Sequence, residues 1–178
     1  MRKIMCAAAL CGVAAMSGCN GNMPFVSEKL PDMDRSFSSS AEMTIGKTTA
    51  QAEIDRISPG CWEFTFTAPD ELAGVVMSIQ DGKLTASLGE LTVDDQGSDH
   101  TALPLIIAEC IDGLSSADAS EFTESGGVLS VRQEVLGSPC TVTIDKASGE
   151  ILSVKSHANK LAVYFSDISP YTAESAAE

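Results

Sequence analysis

Between residues 37 and 168 the apolar residues recur at every second position, in short runs separated by turn residues. That period puts one side of each run on a common face, as in the half-buried strands of an antiparallel sheet. Phe37, Ser39, Ala41, Met43 and Ile45 share one side of the first run. After Gly46-Lys47 the alternation returns through Thr48, Ala50, Ala52 and Ile54, and after Ser58-Pro59-Gly60 it continues in Trp62, Phe64 and Phe66. Residues 68–74 read as a single helical turn: Pro69 suits its start, Asp70 and Glu71 its N-terminus, and Gly74 its end. Val75, Met77 and Ile79 form the next run. Asp81-Gly82 is a strong hairpin signal, and Leu84, Ala86 and Leu88 answer it, with residues 91–93 continuing weakly. Further runs centre on Phe122, on Leu129, Val131 and Val135, and on Cys140, Val142 and Ile144; residues 151–156 and 161–168 bring the count to about ten. Neighbours joined by turns this short pair antiparallel.

One stretch changes period. Leu103, Ile106, Ile107, Cys110, Ile111 and Leu114 follow helical spacing, and Leu105 and Ala108 widen the stripe, leaving Glu109 and Asp112 as the only charges. Thr101 or Asp99 suits the cap, Pro104 the first turn and Gly113 the stop, which predicts a helix over 102–113. A helix this apolar needs cover on most sides. A long meander curls, and its concave face needs filling. The predicted fold is therefore α+β and mostly β: a curved antiparallel meander, an open half-barrel of about ten strands, with the apolar helix packed in its concave face.

The N-terminus carries a different message. Arg2 and Lys3 precede an uncharged apolar run over 4–15, which ends in Met16-Ser17-Gly18-Cys19. This is a secretory layout, too short for a spanning helix. Small residues directly before a cysteine resemble the bacterial lipobox, in which the cysteine is acylated and the chain cut before it. Cys6 and Cys11 fit less well, because Met5 and Leu10 precede them. The alternative is an ordinary signal peptide with an incidental cysteine. The lipobox reading divides the chain into a lipoprotein signal peptide (1–18), a flexible tether rich in Gly, Asn and Pro (19–35), the sheet domain (36–170) and a polar tail (171–178). Two or three acyl chains on Cys19 anchor stably where one does not, so the expected location is extracytoplasmic, on a bacterial membrane.

The formal charge of −14 becomes −16 without Arg2 and Lys3, which argues against nucleic acid and against docking onto anionic headgroups. Cys61, Cys110 and Cys140 remain in the body. Their odd count permits one disulfide with a spare thiol, or three buried thiols. If a bridge forms, Cys61 with Cys140 is expected, since Cys110 falls on the apolar face of the helix. Their spacing fits no zinc pattern, and His100 and His157 lie in unrelated polar loops. Asp94, Asp95 and Asp99 lack calcium-loop spacing. No phosphate loop, HExxH or Cys-x-x-Cys occurs. No metal, cofactor or catalytic residue is expected, and the chain reads as a non-enzyme.

Three local motifs in order, Phe66-Thr67-Ala68-Pro69-Asp70-Glu71-Leu72-Ala73-Gly74, Thr143-Ile144-Asp145-Lys146-Ala147-Ser148-Gly149-Glu150-Ile151 and Tyr164-Phe165-Ser166-Asp167-Ile168, together with the strand order, resemble the LolA/LolB-like half-barrel superfamily over roughly residues 36–169. The lipobox adds a likeness to exported lipoproteins of this shape, including the germination-type lipoproteins of spore formers. The chain departs from carriers of the LolA type by having no convincing helix before the first strand and by its acidity, with Arg35, Arg56 and Arg132 its only mature arginines. The resemblance implies the half-barrel and an apolar concavity, without a role in sorting lipoproteins.

The inner residues Phe37, Ala41, Met43, Trp62, Phe64, Phe66, Val75, Met77 and Ile79, with Ile107 and Cys110 of the helix, then have two readings. They are core packed under the helix, or they line a groove for a lipid or other hydrophobic ligand, with Ala41, Ala50, Ala52 and Ala86 leaving room and the methionines a pliable wall. The partners expected are the membrane, through the acyl anchor, and either that ligand or an envelope protein held by the scaffold; nucleic acid is not expected.

Overall fold

The computed structural model describes residues 30–94 and 102–173. The signal peptide, Cys19, most of the tether, Asp95, Asp99, His100, Thr101 and the end of the tail lie outside them. Eleven strands form one antiparallel sheet: β1 (Phe37–Ile45), β2 (Thr48–Ser58), β3 (Cys61–Ala68), β4 (Val75–Gln80), β5 (Lys83–Leu88) and β6 (Leu91–Asp94), then α1 (Leu103–Asp112), then β7 (Phe122–Ser125), β8 (Val128–Val135), β9 (Ser138–Asp145), β10 (Ile151–Ser156) and β11 (Leu161–Pro170). The spatial order is β6-β5-β4-β3-β2-β1-β11-β10-β9-β8-β7. The sheet is curved and open, with the helix packed against it, which is the half-barrel layout the sequence implies.

The connectivity is less simple than a single meander. The chain starts at the centre of the sheet, runs outward through six strands, crosses with α1 to the opposite edge, and returns through five strands to pair β11 with β1. That closing pair matches Ala41 with Phe165, Met43 with Val163 and Ile45 with Leu161. Alternation holds on both wings: Met43, Ile54, Phe64, Leu129, Val142, Ile144 and Val163 are all buried in one apolar cluster on the face that carries α1. The corner at 68–74 is one turn of helix, with the Ala73 amide bonded to the Pro69 carbonyl at 3.0 Å.

The helix differs from expectation at both ends. Its N-cap is Ala102, whose side chain caps nothing, and no acid lies in the first turn. Gly113 is not left-handed (φ −65°), and the chain continues through it into a 3₁₀ turn over Gly113–Ser116. Glycine serves there for a different reason: a Cβ would lie 2.9 Å from Gln133 Oε1, so the bare backbone lets Gln133 lie over the helix end. Part of residues 30–35, assigned to the tether, is packed on the domain, although Asp32 and Asp34 are exposed. Met33 is buried, and the Arg35 guanidinium donates to the Ser148 carbonyl at 3.0 Å.

That contact is to the β9–β10 hairpin, whose loop is built on Asp145. Its Oδ1 accepts the Ala147 and Ser148 amides at 3.0 and 2.7 Å and the Ser148 hydroxyl at 3.0 Å. These bonds, those from Ser148 foremost, hold the Asp145 carboxyl below its ordinary range. A depressed folded-state value means the stabilisation is present above the unfolded value and is lost as pH falls through the folded one. Urea midpoints of the wild type and Asp145→Ala should therefore differ at pH 7 and converge in acid. Gly149 closes the loop at φ +73°, and a Cβ there would lie 2.6 Å from the Pro31 side chain. Gly149→Ala is expected to cost about 1–3 kcal/mol by urea denaturation, from the strained φ and the displaced Pro31.

Candidate functional site

The expected site residues fall on one face, and the period-two rule explains why. Phe37, Ala41, Met43, Trp62, Phe64, Phe66 and Ile79 are buried there with Ile107 and Cys110 of α1, while Val75 and Met77 are half-buried against the same cluster. Phe37 meets Trp62 edge-on, with ring centroids 5.8 Å apart, and Trp62 stacks on Phe64 at 6.0 Å. The end of the face under the helix is thus filled by its own side chains.

Toward β6 the packing gives out. Two cross-strand rows step outward, one through Val75, Leu88 and Leu91, the other through Met77, Ala86 and Val93. The inner members are half-buried, but Leu88 is 50% exposed, Leu91 74% and Val93 69%. The helix packs most on β4, β8 and β9, away from the β6 edge. The sequence marked Val75 and Met77 as lining residues and placed Leu88 and residues 91–93 in the alternation, but not in the lining. Their signal was present: they continue the inner-face alternation outward into a short edge strand.

A polar latch fastens the covered end, and it was missed as a unit. Arg56 follows Ile54 on the inward face of β2 and is 1% exposed. Its Nε donates to Asp112 Oδ1 at 2.9 Å, and its Nη2 lies 2.7 Å from the same oxygen without hydrogen-bond alignment. Nη1 donates to the carbonyls of Met33 (2.7 Å) and Arg35 (2.9 Å). Asp112 Oδ2 accepts the Gly60 amide and the Trp62 indole N–H, each at 2.9 Å. The guanidinium also stands 5.6 Å from the Trp62 ring centroid. A carboxylate opposes the dipole at a helix C-terminus, and these donors offset that.

The cysteines are arranged differently from the pairing expected. Trp62 points inward, so Cys61 beside it points outward, whereas Cys140 is buried on the inner face with Val142 and Ile144. A Cys61–Cys140 bridge is therefore ruled out by the pleat. All three thiols are free. The neighbour of Cys140 is Cys110, whose thiol it helps to hold above the ordinary range.

Among the described residues no three His, Cys, Asp or Glu side chains converge as a metal site, and no helix is long and apolar enough to cross a membrane. His157 is exposed in the β10–β11 turn. Two hollows lie away from the apolar rows. One of about 190 Å³ sits between Phe37, Glu150 and Ile168, and a polar one of about 310 Å³ is lined by Glu42, Gln51 and Glu53.

The latch yields a direct expectation. Asp112→Ala leaves the Arg56 charge buried with two carbonyl partners and only the exposed Asp34 carboxylate at 4.0 Å, and should cost about 3 kcal/mol in urea unfolding. The fluorescence of Trp62, the only tryptophan, should shift to the red as the ring loses its indole partner and its cover.

No family model matches the chain, and no curated protein matches it. Solved structures do match in layout. An uncharacterized conserved protein from Thermus thermophilus is 12% identical, with 78% of this chain and 80% of that one covered, at a TM-score of 0.48. A LolA superfamily protein from Nitrosomonas europaea is 8% identical, with coverages of 78% and 87% and a TM-score of 0.40. A chain of the Pseudomonas aeruginosa MucA/MucB complex is 15% identical, with coverages of 79% and 54% and a TM-score of 0.40.

Proposed function

We propose that this protein is an exported lipoprotein, held at a bacterial membrane through acylated Cys19, that shelters a lipid or other hydrophobic ligand on the uncovered end of its concave face without covalent chemistry. The observation that carries the reading is the pair of apolar rows running from Val75 and Met77 out to Leu91 and Val93. An apolar guest laid along them removes several large side chains from water, at roughly 1.5–3 kcal/mol for each one fully covered. Met77 gives the inner wall an adaptable shape. The net charge of −14 favours a guest held by its hydrocarbon over one held by an anionic headgroup.

A second reading rests on a separate observation. β6 is a four-residue strand at the edge of the sheet. Its outer backbone groups suit the addition of an extended peptide, which would make the half-barrel a scaffold for an envelope protein.

Native mass spectrometry of the chain from residue 20 onward, before and after organic extraction, separates the two. The ligand reading expects a bound mass of acyl-chain size that extraction removes. A clean apo mass with no uptake of added fatty acid or phospholipid counts against it, and a stoichiometric co-purifying polypeptide favours the scaffold. Leu91→Glu should weaken binding of a fluorescent fatty acid about tenfold while moving stability by no more than about 0.5 kcal/mol. Met77→Trp, which fills the inner end of its row, should expel the guest.

A further inference from the structure

A chain of contacts through Gln133 and a shared burial bring Cys110 and Cys140 together. Cys140 on β9 lies directly opposite Gln133 on β8, and the pair shares the inner face. The Gln133 amide N–H donates to the backbone carbonyl of Cys110, one turn from the end of α1. Both residues are fully buried, in the same apolar cluster. We propose that Cys110 and Cys140 are a disulfide site, and that their bridge staples α1 to β9 when the chain folds in contact with a disulfide-bearing oxidant.

The chemistry balances as two exchanges. One cysteine thiolate attacks a sulfur of the oxidant's disulfide and expels a thiolate. The second cysteine then attacks the mixed disulfide, closes the Cys110 Sγ–Cys140 Sγ bond and expels the other thiolate. The two protons lost by the cysteines end on the two thiols of the reduced oxidant, which takes up both electrons. Timing follows from burial. Burial first, and the adjacent Cys140 thiol second, push the Cys110 thiol well above its ordinary range, so docked Cys110 is a poor nucleophile. The exchange therefore runs before α1 settles on the sheet, and the docked helix afterwards shields the bond from reductants. Cys61, on the other face, takes no part.

The test is refolding of the reduced, unfolded full-length chain with glutathione disulfide, followed by thiol blocking and trypsin digestion. Cleavage after Lys83, Arg132 and Lys146 puts the two cysteines in separate peptides, 84–132 and 133–146. The expected product is these peptides joined, at a mass about 2 Da below their sum, and separated by reductant. Blocked thiols at both positions, or a bridge from either one to Cys61, overturns the proposal. A bridge closing a loop of about 30 residues should raise Tm of the oxidised chain over the reduced one by roughly 7–14 °C, a difference that Cys61→Ala keeps and Cys140→Ala abolishes. Should Cys140→Ala not fold, the peptide map of the wild type still decides. Bridging in the cell rests on the extracytoplasmic reading, whereas refolding in vitro does not. A bridge formed in vitro but absent from cells therefore overturns that location and leaves the site standing.

Discussion

The ion pair of buried Arg56 and half-buried Asp112 joins three parts of the molecule at one point. The carboxylate belongs to the last residue of α1, the guanidinium to β2, and the two carbonyls on Nη1 to the segment that enters β1. Taking such charges out of water is costly, and the cost is met only when each has several well-placed partners. Asp112 has them in Arg56, Gly60 and Trp62, so the geometry of this corner is narrowly specified. At the far wing Gln133 grips the Cys110 carbonyl. The two wings share backbone bonds along β1 and β11 and between the turns at Gly46 and Lys160, and α1 is a strut that ties them across the concave face.

One inner face does two different things along its length. Under α1 it is an ordinary core of aromatic and branched residues. Toward the β6 edge the same alternation continues, and Leu88, Leu91 and Val93 meet solvent as the outer members of contiguous rows. Scattered surface leucines need no explanation, but rows in register across three strands are the kind of surface that occupants cover.

Local pattern was enough to read much of this. The alternation through Phe37, Ala41 and Met43 told which side of β1 is buried, and Gly46-Lys47 and Asp81-Gly82 placed their hairpins. The change of period at Leu103 located the helix to within a residue at each end. What was not legible depends on partners distant in the chain. The β1–β11 pairing leaves no local mark, so two wings read as one meander. Arg56 continues the inward positions Ala52 and Ile54, and Asp112 is one of two charges on an apolar helix; each was visible alone, and only the fold brings them together. Cys110 was set aside because it lies on the apolar stripe of the helix, yet that stripe is what presses it onto Cys140. The expected Cys61 pairing ignored the pleat that turns Cys61 away.

The helix itself is ten residues long, lacks a side-chain N-cap, has no acid in its first turn, and ends on a carboxylate. Each of these features weakens a helix standing alone, and helices shorter than about 12–15 residues are marginal in water even with favourable sequences. Nearly all of its order is therefore borrowed from the sheet. It is not a rigid door on a hinge, because a helix that leaves the face also unwinds. Any guest reaching the covered end must wait for a local unfolding event. Its exchange would then keep time with the backbone amides of Leu103–Asp112 and share their sensitivity to heat and denaturant.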